Sequence, residues 1–235
     1  MLPAHASPKR PATVTRPYGG VKAEARRQER MQRLLAAGLE VFGHHGYHHT
    51  TVRNICDAAG LTERYFYESF KSLRLLFDAV HAQLRDELAR ITQPAWTPPD
   101  EAQHAPLERL ETALRIWYEY LQADPRRARI MLIDASVIDD LDAVRTNTAA
   151  QEFHARMLRL VETLHPDLAR QGLQPDLVVA ALSGALMILA RTWARSGFAL
   201  PRDDIVRHSM LVFEGLTALH RSLNEAAGAR PPSSD

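Results

Sequence analysis

Apolar side chains recur every three to four residues through most of the chain, and prolines and glycines divide that pattern into helix-sized segments. Met31, Leu34, Leu35, Leu39 and Phe42 share one face of a helix expected over residues 22–43. Val52, Ile55, Cys56 and Ala59 do the same over a short helix that Thr51 can cap, its hydroxyl accepting from an orphan backbone N–H. Gly60 can end that helix in the left-handed region, and Thr62 is placed to cap the next. There Leu61, Tyr65 or Phe66, and Phe70 can face a core, while Glu63, Arg64, Tyr67 and Glu68 stay outside. Leu73, Leu76, Phe77, Val80, Leu84, Leu88 and Ile91 form a stripe over residues 72–92, capped by Ser72. Prolines at 94, 98, 99 and 106 predict a loop over 93–106. Further helices are expected over 106–123, 129–138, 140–164, 175–195 and 202–223, with Asp124 and Pro125 restarting the chain as cap and first helical residue. The predicted fold is all-α.

Two short helices joined by a glycine turn, the second carrying polar and aromatic side chains, read as a helix-turn-helix over residues 51–70. The segment before it is a basic amphipathic helix ending in Val41 and Phe42, followed by Gly46 and Tyr47, and after it come Tyr67, Phe70 and the pair Leu76–Phe77. Over roughly residues 26–80 this order resembles a TetR-family transcriptional regulator. The family commonly has a lysine and then an acidic residue soon after the Phe70 position. Here Leu73 and Arg74 occupy those places, so Lys71 or Arg74 is left to make the phosphate contact. The resemblance implies a DNA-binding domain over residues 21–71 and a helical ligand-binding and dimerisation domain over 72–225, the second helical region starting with the 72–92 helix as connector. Tails at 1–20 and 226–235 are expected to be disordered or frayed.

Charge sharpens this picture. The net charge is only +1, but Lys9, Arg10, Arg16, Lys22, Arg26, Arg27, Arg30 and Arg33 precede Thr51 against three glutamates, 24, 29 and 40. Such a basic end suits a polyanion. Lys9, Arg10 and Arg16 either track DNA as a flexible arm or belong to a solvated tail. Thr51, Arg53, Thr62, Tyr67 and Lys71 are candidates for contacts that position double-stranded DNA, and Arg64 and Tyr65, with Glu63, for base edges. A two-fold dimer would match a palindromic operator.

The 235 residues, 46% hydrophobic and 24% charged, are those of a soluble globular protein. One cysteine, Cys56, allows no internal disulfide, and the longest apolar stretch, 177–190, is interrupted by Ser183 and Gly184. A cytoplasmic protein with no membrane partner is expected. The run His44-His45-Gly46-Tyr47-His48-His49 offers imidazoles, yet no acidic residue stands among them; a solvated loop that gains charge on acidification fits better than a metal site. No nucleophile elbow, phosphate loop or His-Glu-x-x-His pair occurs, so neither catalysis nor a cofactor is expected.

Trp117, Tyr118, Met131, Phe153, His154 and Met157 are either core or the wall of the effector cavity that the resemblance implies, with His154, Tyr118 or Arg191 as polar anchors. Such walls suit an apolar or flat aromatic small molecule. Ala180, Ala181, Ser183, Gly184 and Ala185, flanked by Leu177, Leu182, Leu186 and Leu189, would let the last two helices pack closely on a second copy. The expected function is a ligand-responsive repressor; a helical ligand-binding protein with lost or altered DNA binding is the competing reading, motivated by Glu63, Glu68 and Leu73.

Overall fold

The computed structural model describes residues 18–97, 105–135 and 148–228, and among these every regular element is helical. The order is α1 (Tyr18–His45), α2 (Val52–Ala59), α3 (Glu63–Ser69), α4 (Leu73–Trp96), α5 (Pro106–Ala123) and α6 (Pro125–Ala128). A π-helical turn (Arg129–Asp134) follows α6, and α7 (Thr148–Leu164), α8 (Pro175–Arg195) and α9 (Arg202–Gly228) complete the chain. The tail residues 1–17 and 229–235, and residues 140–147 of the helix expected at 140–164, lie outside the described residues.

Three boundaries differ from expectation. Helix α1 begins at Tyr18, inside the segment expected to be tail, and α9 continues through residue 228 rather than fraying from 226. Helix α4 runs through Pro94 instead of stopping before it. Proline removes one backbone donor, but the last turn is held in other ways: Ala95 is buried, Trp96 packs on the core, and the Thr97 N–H and hydroxyl both donate to the Gln93 carbonyl at 3.1 Å.

Two cores are stacked along α4. The first gathers Leu34, Phe42, Ile55, Phe66, Leu76 and Phe77, and it also takes Tyr120 and Ile130 from beyond the helix-turn-helix. The second gathers Leu114, Tyr118, Met157, Leu182, Trp193 and Phe213. Leu88 of α4 and Met131 of the π turn pack against both. The connecting stripe predicted along α4 is therefore real: Leu76, Phe77, Val80 and Leu84 are buried, and Leu73, Leu88 and Ile91 are partly buried against them. By length and composition alone the 21-residue α8 is apolar enough to cross a membrane. Yet Val179, Leu182, Leu186, Ala190 and Trp193 form its inward face.

His81 of α4 stacks on Phe77 at 6.1 Å and is held near pKa 4, first by burial and then by Arg85 and Arg74. The folded protein thus keeps the ring neutral at pH values where the unfolded chain protonates it. Stability from this group is complete above the ordinary value of 6.5 and is lost as pH falls toward 4. The slope approaches about 1.4 kcal/mol per pH unit where one extra proton is bound on unfolding. Denaturant titrations at several pH values should show a shallower acid-side loss for His81→Gln than for the parent. Parallel curves would mean that His81 does not carry this dependence.

Candidate nucleic-acid interface

Thr51 caps α2 as expected, and more completely. Its hydroxyl accepts from the Asn54 N–H at 3.2 Å, and the Asn54 carbonyl oxygen accepts from the Thr51 N–H at 2.9 Å, a reciprocal capping box. At the other end Gly60 stands at φ 60°, with its N–H on Asp57 and the Leu61 N–H on Cys56, which is the paired-bond stop that favours glycine. Arg33 of α1 then donates to the carbonyls of Ala59, at 2.6 and 3.0 Å, and Gly60, at 3.0 Å. One arginine of the basic end is thereby a structural clamp on the turn.

Helix α3 is short and rests on one anchor. Phe66 is fully buried, with Phe70 beneath the helix end, whereas Tyr65 is 38% exposed; of the two alternatives Phe66 takes the core position. Thr62 sits at the cap position, where its carbonyl accepts from Tyr65 and Phe66 while its hydroxyl makes no capping bond. The Arg30 guanidinium lies 4.7 Å from the centre of the Tyr65 ring and 4.0 Å from Glu68. Arg64 reaches Glu68 at 3.1 Å while remaining almost fully exposed. Arg53, Glu63, Tyr67 and Lys71 are exposed as well. Arg74, by contrast, is paired with Asp78 at 2.8 Å, whereas Lys71, beside the Ser72 cap of α4, has no ion pair among the described residues. Thr51, Arg53, Thr62, Glu63, Arg64, Tyr65, Tyr67 and Lys71 thus all lie on or beside the two short helices and are solvent-facing.

The opposite side of this unit is locked to α6 and the π turn. Arg129 donates to the His44 and His45 carbonyls, both at 3.3 Å, and the carboxylate of Asp134 accepts from the Tyr47 N–H at 3.1 Å. Arg126 bridges Asp124 and Glu40. Gly46 lies between them at φ 81°, and a Cβ there would come within 2.8 Å of the Arg129 guanidinium. Asp134 is 8% exposed, and burial pushes its carboxyl above the usual range while the Tyr47 N–H opposes that shift. In the histidine run His44, His45, His48 and His49 are exposed. Sequence reasoning overlooked this lock, because nothing in local periodicity links residue 47 to residue 134.

The six residues proposed for an effector cavity are only partly brought together. Trp117, Tyr118 and Met157 are buried in the second core, and Met131 and Phe153 pack at its edge. The Tyr118 hydroxyl bonds Ser209 at 2.6 Å, and burial raises its pKa to about 12 despite that bond, so the phenol is neutral. His154 faces outward instead, pairing with Asp176 at 3.0 Å. A cleft of about 620 Å³ opens nearby between α4 and α7, and five of its eight lining residues carry charge.

The family model described as bacterial regulatory proteins, tetR family, matches residues 34–80, the stretch that holds the capping box, the Gly60 stop and the Phe66 anchor. Residues 34–80 therefore carry the helix-turn-helix region described for the tetR family of bacterial regulatory proteins. The chain is 25% identical over 194 residues to the HTH-type transcriptional activator FasR of Mycolicibacterium smegmatis, covering 81% of the chain and 85% of the relative. It is 25% identical over 216 residues to a probable acrEF/envCD operon repressor of Escherichia coli, covering 87% and 96%. Its fold matches that of the transcriptional regulator FadR from Bacillus subtilis in complex with stearoyl-CoA, with a TM-score of 0.60, 15% identity, and 77% and 96% of the two chains covered.

Removing the Thr51 hydroxyl should break the half of the capping box that satisfies the Asn54 N–H, while the Thr51 N–H keeps its bond to the Asn54 side chain. Thr51→Ala is expected to lower unfolding free energy by about 1 kcal/mol, and Thr51→Ser to keep most of it. Denaturant titration without DNA checks this, and equal losses in the two variants would count against the cap.

Proposed function

We propose that the protein is a homodimeric, cytoplasmic repressor that binds a palindromic operator through α2 and α3 and releases it on binding a small molecule. The single observation that carries the DNA-binding part is the exposed polar face of α3, held by buried Phe66 and flanked by Thr51, Arg53 and Lys71. Thr51, Arg53, Thr62, Tyr67 and Lys71 position the duplex. Arg64 and Tyr65 reach base edges, with Glu63 able to accept from a cytosine amino group. Glu68 does not oppose this role, because Arg30 remains beside it at 4.0 Å when Arg64 turns to the bases. That weighs against a chain that has lost DNA binding, and binding rather than catalysis is the activity assigned.

Dimerisation is assigned to α8 and α9. Leu177, Ile188, Leu211 and Leu219 are 64%, 56%, 59% and 57% exposed, and Ala181, Gly184, Gly215 and Ala218 lie exposed between them. Leu182 and Leu186, expected on this face, turn into the core instead. A four-helix packing of two copies would cover the outer stripe. The effector is assigned an apolar body that meets the Trp117, Phe153 and Met157 region, a reading supported by the stearoyl-CoA bound to the FadR of similar fold.

On a selected operator, Arg64→Ala should lose about 1 to 3 kcal/mol and relax preference at one base pair. Lys71→Ala should weaken all sequences alike and reduce the salt slope by about one. Anisotropy titrations on cognate and random duplexes at several salt concentrations separate these outcomes; equal losses on both duplexes for Arg64→Ala would reverse its assignment. Ile188→Glu places a charge in the proposed dimer face, and sedimentation should show a monomer where the parent is a dimer. A monomeric parent at micromolar concentration would remove the dimer.

A further inference from the structure

The charged cleft between α4 and α7 is not accounted for by an apolar effector. Its α4 wall presents Asp86, Arg90 and Gln93, and its α7 wall presents Glu152, Arg156 and Arg159. Each set repeats at three, four or seven residues, so each occupies one face of its helix and the two faces look at each other across the gap. Ala89 and Ala155 lie among them and leave room at the floor. Arg156 is satisfied by Glu152 at 3.4 Å, whereas among the described residues neither Arg90 nor Arg159 has an ion-pair partner. The remaining carboxylate, Asp86, is one turn from Arg90 on the same helix and exposed. Two uncommitted guanidinium groups from opposite walls, against one uncommitted carboxylate, leave the cleft with an excess of cationic donors. Guanidinium is the side chain that binds carboxylate and phosphate through paired hydrogen bonds.

We propose that this cleft binds the anionic head of an amphiphilic effector, a carboxylate or phosphate held between Arg90 and Arg159. This deepens the ligand-responsive reading given above and rests on it. Phe153, one residue from Glu152, packs against the second core, so a head in the cleft sits at the edge of the apolar region that would take the body. Asp86 favours a ligand that also offers a donor, such as a hydroxyl or amide N–H, and disfavours charge spread along the whole cleft. A ligand bridging the two walls would tie α7 to α4, the helix whose first half shares a core with Phe66 of α3. That gives it purchase on the reading head without contact with α3.

The test measures binding to the full chain directly, by calorimetry without DNA, for decanoate, decyl phosphate and decanol, with coenzyme A as a head lacking an apolar tail. The anionic amphiphiles should bind more tightly than decanol, and Arg90→Ala/Arg159→Ala should weaken them by roughly ten- to hundredfold, the loss expected for charge-assisted hydrogen bonds. Decanol should be unaffected, and Arg90→Lys/Arg159→Lys should restore part of the loss. The proposal is overturned if no anionic probe binds the parent, if the head makes no difference, or if the double alanine variant, with its melting temperature unchanged, binds as the parent does. Preference for decanoate over decyl phosphate, or the reverse, identifies the head. Binding that requires the arginines but leaves operator affinity untouched would keep the cleft and refute the release step in the proposed function.

Discussion

The π turn at Arg129–Asp134 is the constraint on which the arrangement of the reading head depends. In an α-helix residues five apart point about 140° away from each other, so Arg129 and Asp134 could not both serve the same neighbour. A π turn widens the helix and brings such residues to one side. Here that side meets the end of α1, where Arg129 donates to the last carbonyls and Asp134 accepts from the Tyr47 N–H. A helix end has four carbonyls without internal partners, and a cation placed there also complements the negative end of the helix dipole. The same turn sends Ile130 into the first core and Leu132 into the second. Side chains of one short segment therefore fix the spacing between the DNA-facing unit and the rest.

This lock and helix α4 are two independent links between the same two parts, and their chemistry differs. Along α4 the link is apolar and continuous, with Leu84 in one core and Leu88 shared with the other. A packed core transmits displacement because it has few voids to absorb it. The link at the π turn is polar and includes a buried carboxylate whose charged form is disfavoured by burial. Polar contacts of this kind have a defined geometry and weaken steeply when it is lost. A shift of the π turn relative to the end of α1 would have to break the bond from the Tyr47 N–H to Asp134.

The elements that position the DNA-facing residues were legible in the sequence because their signals are local. Thr51, Gly60 and the spacing of Ile55, Phe66 and Phe70 each act within a few residues, and the structure places them as those signals imply. The ambiguity between Tyr65 and Phe66 has a non-local partner, Arg30 on α1, a residue thirty-five positions away whose guanidinium lies over the face of the outward Tyr65 ring. The same limit explains Arg33 and Arg30, which read as parts of a basic patch and turned out to hold α2 and α3 in place. Charge counts cannot separate a cation facing DNA from one facing a carbonyl.

The effector region was less legible for a related reason. Aromatic and methionine residues at helical spacing report burial but not whether the buried space is filled, and Trp117, Tyr118 and Met157 pack into the second core. His154 follows Phe153 directly, and a one-residue step on a helix turns a side chain by about 100°, which is enough to carry it from the core edge to solvent. It meets Asp176 there. The cleft residues on α4 and α7 were individually ordinary solvent-facing charges, and only the approach of the two helices makes them a set. What a sequence pattern reveals is which face of a helix is wet; whether two wet faces are turned toward each other is a property of the packing of their dry ones.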